Sequence, residues 1–171
     1  MYSAGILPYT IVNGSIHFLL GLDTKEGCYS DFGGRSERDD ANDPSKTAIR
    51  EFYEETCGAV LNASEIHLDD SMLVNSITFS NAKYYMYVLH IPWSPHYSTH
   101  FLKISNFLRH IHANKKYLEK SNICWLAAEQ LQSVKLRSIF RATLIRHKES
   151  ITAKITEHNG KMDTPWVLSS F

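Results

Sequence analysis

The chain has 171 residues, 43% of them hydrophobic and 21% charged, and its 18 basic and 18 acidic side chains cancel. This size suits one domain with a proper core. The charge balance gives no overall field that would argue for nucleic acid or a membrane surface. Cys28, Cys57 and Cys124 are odd in number and irregularly spaced, which suits a reducing compartment better than a disulfide scaffold. The N-terminus lacks a basic leader, and no apolar run approaches the roughly 18 residues of a membrane span. A cytoplasmic protein, or a nuclear one, with no membrane partner is expected.

In chain order, residues 4–12 and 16–22 are apolar-rich, and Asn13-Gly14 between them is a strong hairpin signal. Residues 28–32 read as a short strand ending in a turn at Gly33-Gly34. Asp43-Pro44 supplies an N-cap and a proline at the first helical position, and Ala48, Ile49, Phe52 and Tyr53 form the apolar stripe of the helix that follows. Gly58 is placed to stop it. Residues 71–78 and 83–91 predict a strand pair. Tyr84, Tyr85 and Tyr87 lie in the second strand, where alternation divides them between the two faces and makes most of them core.

Phe101, Ile104, Leu108 and Ile111 predict an amphipathic helix over 99–112, within a basic helical insertion at 96–120. A strand at 123–126, a helical turn at 127–131 and a last helix from Leu136 toward Ile155 complete the list. The order β-β-β-α-β-β-α-β-α implies one domain over 1–171, a mixed sheet sandwiched by helices.

Arg50-Glu51-Phe52-Tyr53-Glu54-Glu55 carries the chemistry. Glu51, Glu54 and Glu55 stand at i, i+3 and i+4, so they share a helix face and repel by a few tenths of a kcal/mol per pair. A divalent cation held through oxygen ligands would compensate. The alternative is a solvated acidic face, which most charge clusters are.

These residues, with Gly33-Gly34 ahead of them, resemble the Nudix box, G-x5-E-x7-R-E-U-x-E-E-x-G-U. Arg50 to Glu55 match its R-E-U-x-E-E core without a gap, and Gly34 fits the leading glycine. Asp40 is the nearest acidic substitute for the first glutamate, in a loop two residues longer than the pattern. Gly58 falls one residue late. A hairpin ending Leu19-Leu20-Gly21 and the segment around Trp125, Glu129 and Leu131 extend the resemblance.

The resemblance implies a Nudix-type α/β/α sandwich and a Mg2+- or Mn2+-dependent hydrolase, cleaving the diphosphate linkage of a nucleoside diphosphate joined to another moiety. It implies Glu51, Glu54 and Glu55 as metal ligands, the Gly34 carbonyl as a further ligand, and Arg50 orienting a glutamate by a charge-assisted hydrogen bond. Arg35, Lys115, Lys116 and Glu119 are candidates for the substrate's phosphate region. Glu119 is also a candidate further carboxylate, against the alternative of an ordinary surface glutamate.

Lys103, Arg109, Lys115, Lys116 and Lys120 make the segment 103–120 locally basic, which suits substrate phosphates or RNA, or merely a polar helix face. An mRNA-decapping or diphosphoinositol-polyphosphate hydrolase, a non-catalytic nucleotide-binding sensor, and a homodimer therefore stay open. His96 and His100 have a zinc-like spacing but no adjoining ligand, so chance is favoured. Cys57, at a helix end, reads as packing.

Overall fold

A computed structural model describes residues 1–78 and 81–159. Residues 79–80 and 160–171 of the expected 1–171 domain lie outside the described residues. The strands are β1 (Tyr2–Val12), β2 (Ser15–Asp23), β3 (Tyr29–Ser30), β4 (Phe32–Arg35), β5 (Met72–Ile77), β6 (Lys83–His90) and β7 (Lys120–Ala127). The helices are α1 (Pro44–Thr56), α2 (Tyr97–His110) and α3 (Ser138–Asn159).

β1 organises the sheet. Its end forms the expected hairpin with β2, Val12 facing Ser15. Asn13 and Gly14 adopt φ of 50° and 76°, the left-handed pair a two-residue hairpin needs. The start of β1 pairs antiparallel with β4, while β6 runs parallel along its other edge. β5 joins β6, and β7 joins β2.

Side chains from the two sheet faces enter separate cores. Phe140, Leu144, Ile151 and Ile155 of α3 pack with Leu7, Phe18, Leu20 and Met86 on one face. Ala48 and Phe52 of α1 and Phe101 of α2 pack with Ala4, Ile6, Leu19 and Phe32 on the other. The result is an α/β/α sandwich around a mixed sheet. Tyr84 enters the first core, and Tyr85 and Tyr87 pack against the second, as alternation along β6 requires.

Several boundaries differ from expectation. Gly33 and Gly34 form no turn: they lie in β4, opposite Gly5 and Ala4. A Cβ on Gly33 would stand 2.7 Å from the Gly5 Cα, so the glycines serve the close approach of two strands. The single strand expected at 28–32 is broken into β3 and β4, either side of Asp31. The helix expected over 99–112 starts and ends two residues earlier. Phe101 is buried, but Ile111 lies past the helix end and is exposed. The turn expected at 127–131 is a 3-10 turn over Ala128–Ser133, and β7 starts three residues before its expected 123. Among the described residues, no helix is long and apolar enough to cross a membrane.

Candidate active site on helix α1

α1 begins as its sequence dictates. The Asp43 carboxylate accepts from the Ser45 amide at 2.9 Å, ahead of Pro44 at the first turn. The helix ends at Cys57, which adopts φ 53° where the family pattern carries its glycine, and Gly58 follows at φ 65°. The displaced glycine is thus tolerated because Cys57 itself enters the left-handed region. Its thiol lies 3.1 Å from the Tyr117 carbonyl, and burial pushes its pKa up to about 11, which makes it a packing residue. Phe52 meets Phe32 edge-on, with centroids 5.3 Å apart. That contact, worth roughly 0.5–1.5 kcal/mol beyond area burial, seats α1 against β4.

Arg50 is the hub of the polar face. Its Nε donates to Asp40 Oδ1 at 3.0 Å and its Nη2 to Asp40 Oδ2 at 2.9 Å. Nη2 also donates to the Arg35 carbonyl at 3.0 Å. Nη1 lies 2.8 Å from a Glu51 oxygen, 3.5 Å from one of Glu54 and 3.6 Å from one of Glu37. Asp40, an acidic residue of the loop, thus lies directly under the guanidinium. The hydrogen bonds from Arg50 hold its carboxyl down at about 2, while the carboxylates in turn raise the pKa of the guanidinium. The two extra loop residues are absorbed by Ala41 and Asn42, both left-handed at φ 53° and 61°, which turn the chain back without moving Asp40 away.

The three glutamates do not share one environment. Glu51 lies beside Gly34, where a Cβ would stand 2.5 Å from its carboxyl carbon. Burial raises its pKa, against the opposing pull of Arg50. Glu54 is 5% exposed, and its second oxygen lies 2.5 Å from Lys116 Nζ, a contact that raises the lysine's pKa. Glu55 is 3% exposed and points the other way. It accepts from the Gly33 amide at 2.8 Å and lies 3.2 Å from Lys120 Nζ. Burial pushes its pKa up to about 8, with Lys120 opposing.

A buried polar group beneath Glu55 went unrecognised in the sequence. Lys120 is 1% exposed and also donates to the Ser30 hydroxyl at 2.9 Å. Asp31 next to it accepts a hydrogen bond from Tyr84, and burial pushes its carboxyl up to about 6. The local signal was Gly21, in the middle of a strand. A Cβ there would come 2.8 Å from the Lys120 side chain.

The other expected phosphate contacts are spread out. Arg35 is exposed at the end of β4, and only its carbonyl reaches Arg50. Lys115 and Glu119 line a cavity of about 310 Å3 with Asp23, Lys25 and Arg137, next to the turn that carries Lys116. The basic segment is not one platform: Lys116 and Lys120 are committed to glutamates, and Arg109 to Asn106. His96 and His100 stack at 6.0 Å on the surface.

Among the described residues, no three His, Cys, Asp or Glu side chains converge as a ready metal site. The donor chemistry nevertheless fits a hard cation. Carboxylate oxygens of Glu37, Glu51 and Glu54 lie 3.6, 2.8 and 3.5 Å from Arg50 Nη1, a set of hard oxygen donors around one positive charge.

No family model matches the sequence, and no curated protein matches it significantly. Solved structures do resemble it. A Nudix hydrolase from M. smegmatis, RenU, is 15% identical at a TM-score of 0.56, covering 89% of this chain and 86% of its own. The NUDIX domain of Shewanella oneidensis NrtR, solved with ADP ribose, is 13% identical at 0.57, with 88% of each chain covered. The C. elegans Ap4A hydrolase is 18% identical at 0.52, covering 89% of this chain and 98% of its own. Together with the sandwich, these neighbours establish that the chain has the Nudix fold.

Proposed function

We propose that the protein is a Mg2+- or Mn2+-dependent pyrophosphohydrolase, cleaving the diphosphate linkage of a nucleoside diphosphate joined to another moiety. The observation that carries this reading is the meeting of Glu51 and Glu54 oxygens at Arg50 Nη1, beside Gly34, on an intact R-E-U-x-E-E helix. Glu51, Glu54 and Glu55, with the Gly34 carbonyl, would hold the cation. When bound, it would neutralise phosphoryl oxygens and lower the pKa of a water ligand.

The chain's own residues supply the rest. Arg50, anchored at two points by Asp40, holds Glu51 in orientation and offsets repulsion along the helix. Lys116 is held by Glu54 but remains partly exposed, so its ammonium can turn to an incoming phosphate. Neighbours solved with ADP ribose or named Ap4A hydrolase support a nucleotide-type substrate. RNA is less favoured, because Lys120 of the basic segment is buried against Glu55.

The test is a panel of nucleoside triphosphates, dinucleoside polyphosphates, ADP-ribose, NADH, capped RNA and inositol pyrophosphates, each with Mg2+. Metal-dependent release of a phosphate product from a nucleotide member supports the reading. A second reading, a sensor that binds nucleotide without cleaving it, is favoured by the lysines already sitting on Glu54 and Glu55. It predicts saturable binding with no product from any member.

A further inference from the structure

A cavity of about 340 Å3 lies between α3 and the strand pair β5–β6, lined by residues 75–77 of β5, by Lys83 and Tyr84 of β6 and by Arg146 of α3. Tyr84 enters the core beneath α3, whereas α1 packs on the other face, so the sheet separates this cavity from the glutamates. Its charge is one-sided. Lys83 and Arg146 are exposed, no acidic residue lines the cavity, and among the described residues neither cation has a hydrogen bond or an ion pair. The cavity beside α1, by contrast, mixes Asp23, Glu26 and Glu119 with its lysines and Arg137.

Ser76 supplies a second, independent signal. It lines the cavity at 6% exposure, and its hydroxyl has no hydrogen-bond partner among the described residues. A buried hydroxyl left unmatched costs stability, so its presence needs a reason. It stands on β5, which pairs with β6 and closes the order of the sheet as its edge. The open side of an edge strand offers backbone amides to a concavity that suits an anion.

We propose that this cavity is a non-catalytic anion site, taking the phosphate group of free phosphate or of a nucleoside monophosphate between Arg146 and Lys83, with the Ser76 hydroxyl as a third donor. The guanidinium matches two phosphate oxygens with parallel donors, and Lys83 adds a point charge. Ser76 gains the acceptor it lacks. The site uses neither a divalent cation nor the α1 glutamates, so it stands or falls apart from the hydrolase reading.

The experiment is phosphate binding by titration calorimetry at low salt on metal-free protein, comparing wild type with Lys83→Ala, Arg146→Ala and Lys116→Ala. Lys83→Ala and Arg146→Ala, at exposed positions, should each weaken binding by about tenfold, the scale of one charge-assisted contact. Lys116→Ala, on the other face of the sheet, should stay within about twofold of wild type. Adenosine monophosphate titrated in parallel separates the two sources: tighter binding assigns the site to nucleotides, and equal binding assigns it to the free ion. Ser76→Ala gives a readout that a merely structural hydroxyl would not. Its unfolding midpoint without phosphate should equal or exceed that of wild type, while the rise on adding phosphate should shrink. Wild-type protein that binds no phosphate, or binding lost in Lys116→Ala and kept in Arg146→Ala, would overturn the proposal.

Discussion

Arg50 and Asp40 form a two-point ion pair, at 3.0 and 2.9 Å, across a loop that is two residues longer than the family pattern. The Asp40 carboxylate reaches the guanidinium despite the longer loop. Thr47 adds a hydrogen bond to the same carboxylate at 2.8 Å. Removing this anchor should release Arg50 from the glutamates it orients. Asp40→Ala is expected to cost roughly 1.5–3 kcal/mol, the range for a charge-assisted hydrogen-bonded group. Urea unfolding of Asp40→Ala, Arg50→Ala and the double variant checks it, and a coupling energy near zero would show that the pair does not act as a unit.

The insertion carries a cost of its own. Ala41 is held at φ 53°, where its Cβ crowds the backbone, and Asn42 at 61° is a residue that tolerates this region better. Ala41→Gly should therefore raise stability by up to about 1 kcal/mol, the relieved strain being partly offset by added freedom in the unfolded chain. A thermal melt decides this, and a lowered midpoint would contradict it.

Gly34 leaves no room for a side chain between β4 and Glu51. Gly34→Ala should push the Glu51 carboxyl away from Arg50 and weaken Mn2+ binding, with a smaller effect on the unfolding midpoint because the Phe32–Phe52 contact is untouched. Mn2+ affinity equal to wild type would remove Glu51 from the proposed cation site.

Two buried acids should tilt stability in opposite directions with pH. Asp40 is held down to about 2, so its contribution is complete above its unfolded value near 3.8 and is lost as pH falls through 2. Asp31 is pushed up to about 6 by burial, so its contribution is complete below 3.8 and is lost as pH rises through 6. Asp31→Asn should accordingly make stability less dependent on pH between about 4 and 6 than in wild type. Melts at stepped pH measure this, and unchanged curvature in that window would contradict it.

Much of this was legible in the sequence because the signals were local. Asn13-Gly14 fixes a hairpin through its own backbone preferences, Asp43-Pro44 starts a helix, and the glutamate spacing places three acids on one face. The two glycines before the helix misled for the same reason. Gly33-Gly34 reads locally as a turn, but its role is to let β4 lie against Gly5 and Glu51, a fact of pairing between distant segments. Lys120 was hidden more deeply. A lysine in a basic segment reads as surface charge, and only the meeting of β2, β7 and α1 encloses it with Glu55.

The most direct test of the central claim is product release by Glu54→Gln, measured with Mg2+ on the substrate that wild-type protein turns over in the panel. The account predicts that phosphate release falls to background, while the unfolding transition stays that of a folded protein. Turnover surviving at the wild-type rate in a folded Glu54→Gln variant would contradict it, and would remove the α1 glutamates from the chemistry.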